Sequence, residues 1–86
     1  MNFPTTVNAI IQLGLVPVFV DADPLTLNIK EFPINLKREQ VAIVAHTLGN
    51  PVDFTNLPQS WTLIEDACDA VGSTINGQMV GRRGVM

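Results

Sequence analysis

The chain has 86 residues, a formal net charge of −3, 47% hydrophobic residues and a single cysteine. That is at most one small domain, and a mildly acidic balance argues against a nucleic-acid partner. The lone Cys68 forms no internal disulfide and fits a reducing cytoplasm, the apolar run Leu15 to Val20 is too short to span a bilayer, and the N-terminal residues lack the basic region and long apolar core of a signal peptide.

In chain order, Thr5 or Thr6 can cap a short helix through Val7, Ile10, Ile11 and Leu13, with Gly14 placed to end it. Leu15 to Asp21 reads as a buried strand, nearly all apolar as parallel strands are. Pro17 places it at an edge or marks its start. Asn28 to Gln40 is a poor helix candidate because Pro33 interrupts it, so a turn or two at most is expected. Val41 to Thr47 is a second strand, followed by the loop Leu48-Gly49-Asn50-Pro51. A helical turn fits near Asp53 to Leu57. Trp61 to Asp66 is a third strand. Thr74 to Val80 is a hairpin around Asn76-Gly77, the strongest short-range hairpin signal. Strands alternating with crossovers imply an α/β fold with a mainly parallel sheet of about three strands plus a C-terminal β-hairpin, residues 1–86 forming a single partial domain. Helices this short do not cover both faces of such a sheet, so the chain looks like a piece of a larger one.

Leu63 to Ser73 organises the rest. It leaves a buried strand, releases Glu65, Asp66, Cys68 and Asp69, and closes on Gly72-Ser73. In open parallel sheets ligands sit beyond the carboxyl ends of the strands. A carboxylate there can face a cationic ring nitrogen or a metal, and Asp66, the last residue before the strand pattern breaks, is the best candidate. The plainer alternative is that Glu65 and Asp66 hydrogen-bond a loop.

Five motifs stand in order: Phe3-Pro4-Thr5-Thr6-Val7-Asn8-Ala9-Ile10, Pro17-Val18-Phe19-Val20-Asp21, Ala45-His46-Thr47-Leu48-Gly49-Asn50-Pro51, Ile64 to Ser73, and Gly77 to Gly84. In this order the chain resembles the central part of the large domain of DegT/StrS-type sugar-nucleotide aminotransferases. These are fold-type-I enzymes dependent on pyridoxal phosphate. It is closest to the branch of CDP-4-keto-6-deoxyglucose 3-dehydratases, which use pyridoxamine phosphate and an iron–sulfur cluster. The resemblance implies a partial three-layer sandwich and a nucleotide-sugar substrate for lipopolysaccharide or O-antigen synthesis. It also implies a chemistry in which the cofactor ring serves as an electron sink while a proton is withdrawn and the C3 hydroxyl expelled.

By this resemblance Asp66 pairs with the pyridine nitrogen and Phe3 stacks on the cofactor ring. Asp69 stands near the ring hydroxyl, where a carboxylate looks like the dehydratase branch. Cys68 matches that branch's first cluster cysteine, although one thiolate does not hold a cluster that needs about four. His46 shapes the pocket, and a structural histidine bonding a loop carbonyl is the plainer reading of it. Arg82 and Arg83 replace a Thr-aromatic pair in the family's Gly-x-x-Gly turn.

The family's phosphate-holding Gly-Thr segment, its Schiff-base Lys or His, and its small domain have no counterpart among these residues. The crossovers 23–40 and 52–61 look short. The expectation is therefore a truncated segment that catalyses neither reaction alone and binds no cofactor or metal tightly. Its apolar strands favour a homo-oligomer, a dimer for instance. An aminotransferase fragment is the near alternative. A self-associating scaffold protein and a flavodoxin-like binder come from other classes, and Asp21-Ala22-Asp23-Pro24 does not look like the phosphate loop the last requires.

Overall fold

The computed structural model describes residues 2–33 and 40–85, so part of the interval expected to carry only a turn or two lies outside the described residues. Helix α1 is Pro4–Gln12. It begins at Pro4, not behind a threonine cap, because proline's fixed φ suits the first helical position. Phe3 is the extended residue before it, and no side chain caps the end. The Thr6 hydroxyl instead donates to Asn2 Oδ1 at 3.1 Å. Gly14 ends the helix as expected, at φ +70°. Its N–H donates to Ile11 O at 2.9 Å and that of Leu15 to Ile10 O at 3.1 Å, a paired closure that needs a left-handed residue. The helix buries none of its residues.

The strand expected over Leu15–Asp21 does not form, and the parallel sheet among the described residues has two strands, not three. Leu15, Val16, Val18, Phe19 and Val20 are exposed. A fully apolar strand is held by neighbours on its edges and layers on its faces. Among the described residues no strand of the sheet pairs with it, and Pro17 lacks the N–H to start a ladder. Among the described residues a third layer is accordingly not seen.

Residues 21–30 fold back on themselves instead. Ala22 bridges Ile29 antiparallel, the Lys30 N–H donates to Asp21 O at 3.0 Å, and the Asp23 N–H donates to Asn28 O at 2.9 Å. Asp23 Oδ1 accepts the Leu25 N–H at 2.7 Å and sets the turn. Asn28, 6% exposed, ties this unit to the loop after the first strand. Its Nδ2 donates to Asn50 O and Pro51 O at 3.0 and 3.3 Å, and its Oδ1 accepts the Thr47 N–H at 3.1 Å.

Strands β1 (Val41–Ala45) and β2 (Thr62–Asp66) are parallel, with Val44 opposite Glu65 and Ala45 opposite Asp66. Both end where the sequence reading placed them to within two residues. Successive side chains on a strand point to opposite faces. Ala42, Val44 and Leu63 therefore share one face, where Phe32, Val52 and Phe54 complete a small core with Trp61 and Leu57 at its margin. Strands β3 (Thr74–Ile75) and β4 (Gln78–Met79) form the expected hairpin. Asn76 and Gly77 both take positive φ, 52° and 75°, as a tight hairpin turn with right-handed strand twist requires.

Candidate functional site

The loops that leave the carboxyl ends of β1 and β2 meet. Ser73 Oγ donates to Gly49 O at 2.9 Å, and a Cβ on Gly49 would stand 3.3 Å from Asp69 O. Gly49, at φ +84°, is thus needed both for its backbone conformation and for the close approach of the Cys68-Asp69 turn. The two central sequence motifs, Ala45–Pro51 and Ile64–Ser73, form one surface.

Beneath it His46 is 1% exposed and the largest fully buried side chain. Its Nδ1 accepts the Val52 N–H at 2.9 Å, so that nitrogen carries no proton and the ring proton sits on Nε2. Nε2 lies 3.3 Å from Glu65 Oε2, and the ring packs edge-on against Phe54 at 5.6 Å. The structural reading of His46 expected a bond to a loop carbonyl. The ring bonds a loop N–H instead, because the chain turns at Pro51 so that Val52 presents its donor.

Glu65 is the side chain whose role the sequence underplayed. It is 2% exposed. Oε2 accepts the Gly81 N–H at 2.6 Å, and Oε1 accepts the N–H groups of Arg83 and Gly84. Burial pushes this carboxyl up, but the Gly81 N–H, the His46 ring and the Gly84 and Arg83 N–H groups outweigh it and hold it below the usual carboxylate range. The plainer alternative, a carboxylate bonding a loop, describes Glu65 well. A cavity of about 30 Å³, room for roughly one water, adjoins the pair and is lined by Asp53, Phe54 and Arg83 among others.

Asp66 points to the other face of the sheet, since it follows Glu65 on the strand. It is half-buried, its backbone oxygen accepts the His46 N–H at 3.0 Å, and its Oδ1 accepts the Cys68 N–H at 3.1 Å. Cys68 is a free, exposed thiol. A hydrogen bond to Asp66 and that carboxylate's charge push the thiol up, with burial and Asp69 adding to the effect. Asp69 is exposed in the next turn position. Phe3 is 71% exposed at the start of α1. The structure therefore brings Asp66, Cys68 and Asp69 together, sets His46 with Glu65 on the opposite face, and leaves Phe3 in solvent. Among the described residues no three His, Cys, Asp or Glu side chains gather to hold a metal, and no helix is long and apolar enough to cross a membrane.

Sequence comparison agrees with this motif order. The chain is 46% identical to the lipopolysaccharide biosynthesis protein RfbH of Salmonella typhimurium, over 96% of its own length and 21% of that protein's. It is 41% identical to the dTDP-4-dehydro-2,6-dideoxy-D-glucose 3-dehydratase of Saccharopolyspora spinosa, over 98% of this chain and 20% of that one. The GDP-4-keto-6-deoxy-D-mannose 3-dehydratase of Yersinia pseudotuberculosis is 30% identical over 100% of this chain and 24% of its own. The chain thus spans about a fifth to a quarter of the length of these relatives. No solved structure matches it. Residues 1–86 match one family over their full extent, and the chain belongs to the DegT/DnrJ/EryC1/StrS aminotransferase family.

Proposed function

We propose that the chain is the segment of a pyridoxal- or pyridoxamine-phosphate-dependent nucleotide-sugar 3-dehydratase that presents Asp66 to the cofactor's pyridine nitrogen, in the synthesis of lipopolysaccharide sugars. The observation that carries this is the placement of Asp66. It is a half-buried carboxylate at the carboxyl end of a parallel strand, with one oxygen engaged by the Cys68 N–H and the surface of two meeting loops beside it. A carboxylate acceptor so placed suits a protonated ring nitrogen, which donates. When bound, the cofactor supplies a ring that accepts electrons. Asp66 would hold the proton on its nitrogen, with Asp69 near the ring hydroxyl, Phe3 as the stacking residue and His46 fixing the loop, the roles that the family resemblance gives them.

Cys68 stands at the first cluster position, but a single thiol that is pushed up holds no iron–sulfur cluster by itself. The isolated chain catalyses neither dehydration nor transamination. It binds the cofactor weakly, because its sequence has no Gly-Thr pair to hold the phosphate. It works in the cytoplasm.

The test is a segment exchange. This chain replaces the matching segment of the Saccharopolyspora 3-dehydratase, and turnover of that enzyme's substrate is measured. Retained turnover, falling 100-fold or more with Asp66→Asn while the fold is kept, is the expected result. A folded chimera whose activity ignores Asp66→Asn overturns the reading.

A further inference from the structure

In the parallel pair the Thr62 N–H faces β1 and donates to Gln40 O at 2.8 Å, and Asp66 O faces it too, accepting the His46 N–H at 3.0 Å. Backbone groups alternate along a strand, so Leu63 and Glu65 turn theirs to the outer edge of β2. There the Val85 N–H donates to Leu63 O at 2.9 Å, and the Glu65 side chain collects the N–H groups of Gly81, Arg83 and Gly84. Residues 81–85 are thus strapped over the strand edge by one ladder bond and by one carboxylate.

We propose that Glu65 is an acid-releasable latch: ionised, it holds residues 81–85 over the outer edge of β2, and protonated, it lets that strap lift while the β1–β2 pair stays intact. An ionised carboxylate is acceptor-only, with about four lone-pair sites. Four donors meet it here, the Gly81 N–H and His46 Nε2 at one oxygen and the Arg83 and Gly84 N–H groups at the other. A protonated carboxyl turns one of those sites into a donor and weakens the rest, so the strap loses the charge-assisted bonds that hold it.

The strands themselves rely on backbone bonds that do not titrate. Three charged or titratable groups face Glu65. His46 comes from the end of β1, Arg83 from the strap and Asp53 from the loop after Pro51, all lining the same cavity. Asp66 is next in sequence but on the other face. The His46 ring and the Gly81, Gly84 and Arg83 N–H groups bond Glu65 and favour its ionised form, while Asp53 is held by the Thr55 N–H and hydroxyl with the Arg83 charge beside it. The folded carboxyl lies below its ordinary value, so the latch is closed at neutral pH and opens only as pH falls through that lowered folded value. The latch needs no cofactor and holds whichever reaction the family member performs.

The experiment is amide hydrogen exchange on the full chain by NMR, from pH 7 to pH 3, corrected for intrinsic exchange, with the Glu65 side-chain carboxyl followed in parallel. Protection of Gly81, Arg83, Gly84 and Val85 is expected to fall tenfold or more as Glu65 titrates, while that of Thr62 and His46 persists. Glu65→Gln at pH 7 is expected to reproduce the open strap. Should that variant not fold, the wild-type pH series decides alone. Protection at 81–85 that ignores the Glu65 titration, or that is lost together with Thr62 and His46, overturns the latch.

Discussion

Truncating Asn28 to alanine removes two donors and one acceptor from the loop 47–51 at once. The carbonyls of Asn50 and Pro51 and the Thr47 N–H lose the bonds that now tie them to residues 21–30. Unsatisfied groups of this kind cost about 1–3 kcal/mol each when buried. Because solvent reaches part of this loop, Asn28→Ala is expected to destabilise by about 2–3 kcal/mol, measured as a lower urea midpoint at unchanged slope. Cys68 makes a second residue-scale prediction. Its thiol is pushed up chiefly by Asp66, so it alkylates more slowly at pH 7.5 than an exposed peptide thiol, and Asp66→Asn speeds the reaction severalfold. Mass spectrometry of timed iodoacetamide reactions measures both rates. The sequence exposed Asp66 through its place at the end of an apolar run. It hid Asn28, because an asparagine among turn residues reads as a turn former until the loop it clamps, 19 to 23 residues away, is known.

At the scale of elements, local signals were legible and those that depend on a neighbour were not. Asn76-Gly77 dictates its hairpin from within, and Gly14 ends α1 from within. Leu15–Asp21 has every intrinsic mark of a strand, yet a strand is made by its partner, and among the described residues no strand pairs with it, its one ladder-like bond being that of Asp21 O to the Lys30 N–H. In the sequence the turn Thr47–Gly49 reads as a strand end followed by a loop. It carries Leu48 in the left-handed region at φ 53° and ψ 32°, with its side chain 70% exposed. That conformation costs a non-glycine residue roughly 1–2 kcal/mol, against about 0.5–1 kcal/mol for the extra unfolded freedom of glycine. Leu48→Gly, which loses little buried area, is expected to stabilise the chain by about 0.5–1 kcal/mol, read as a higher midpoint in thermal or urea unfolding.

At the scale of the molecule, the core among the described residues is short: Phe32, Val44, Val52, Phe54 and Leu63. Against it stand Phe3, Ile11, Leu13, Leu15, Val16, Val18 and Phe19, all more than half exposed. A monomer seldom tolerates contiguous apolar area beyond a few hundred Å², and β1 has an edge that no described strand pairs. We therefore expect the chain to self-associate, most simply as a two-fold dimer. Sedimentation equilibrium over a hundredfold concentration range is expected to show mass rising from one chain toward two. A single species at monomer mass throughout, with unfolding independent of concentration, rejects this.

Glu65 and Asp66 are adjacent letters with opposite addresses, one facing the strap and the core, the other the loop surface. Their separation is a matter of odd and even positions on β2. Insertion or loss of a single residue within Thr62–Glu65 would exchange the two addresses, whereas a change of length between Val52 and Trp61 would leave them as they are. In copying terms, this strand reads in steps of two. Drift within the family is expected to add or remove residues in that connection and to spare the strand, and aligning any relative to this site requires matching the parity of its acidic pair before matching its composition.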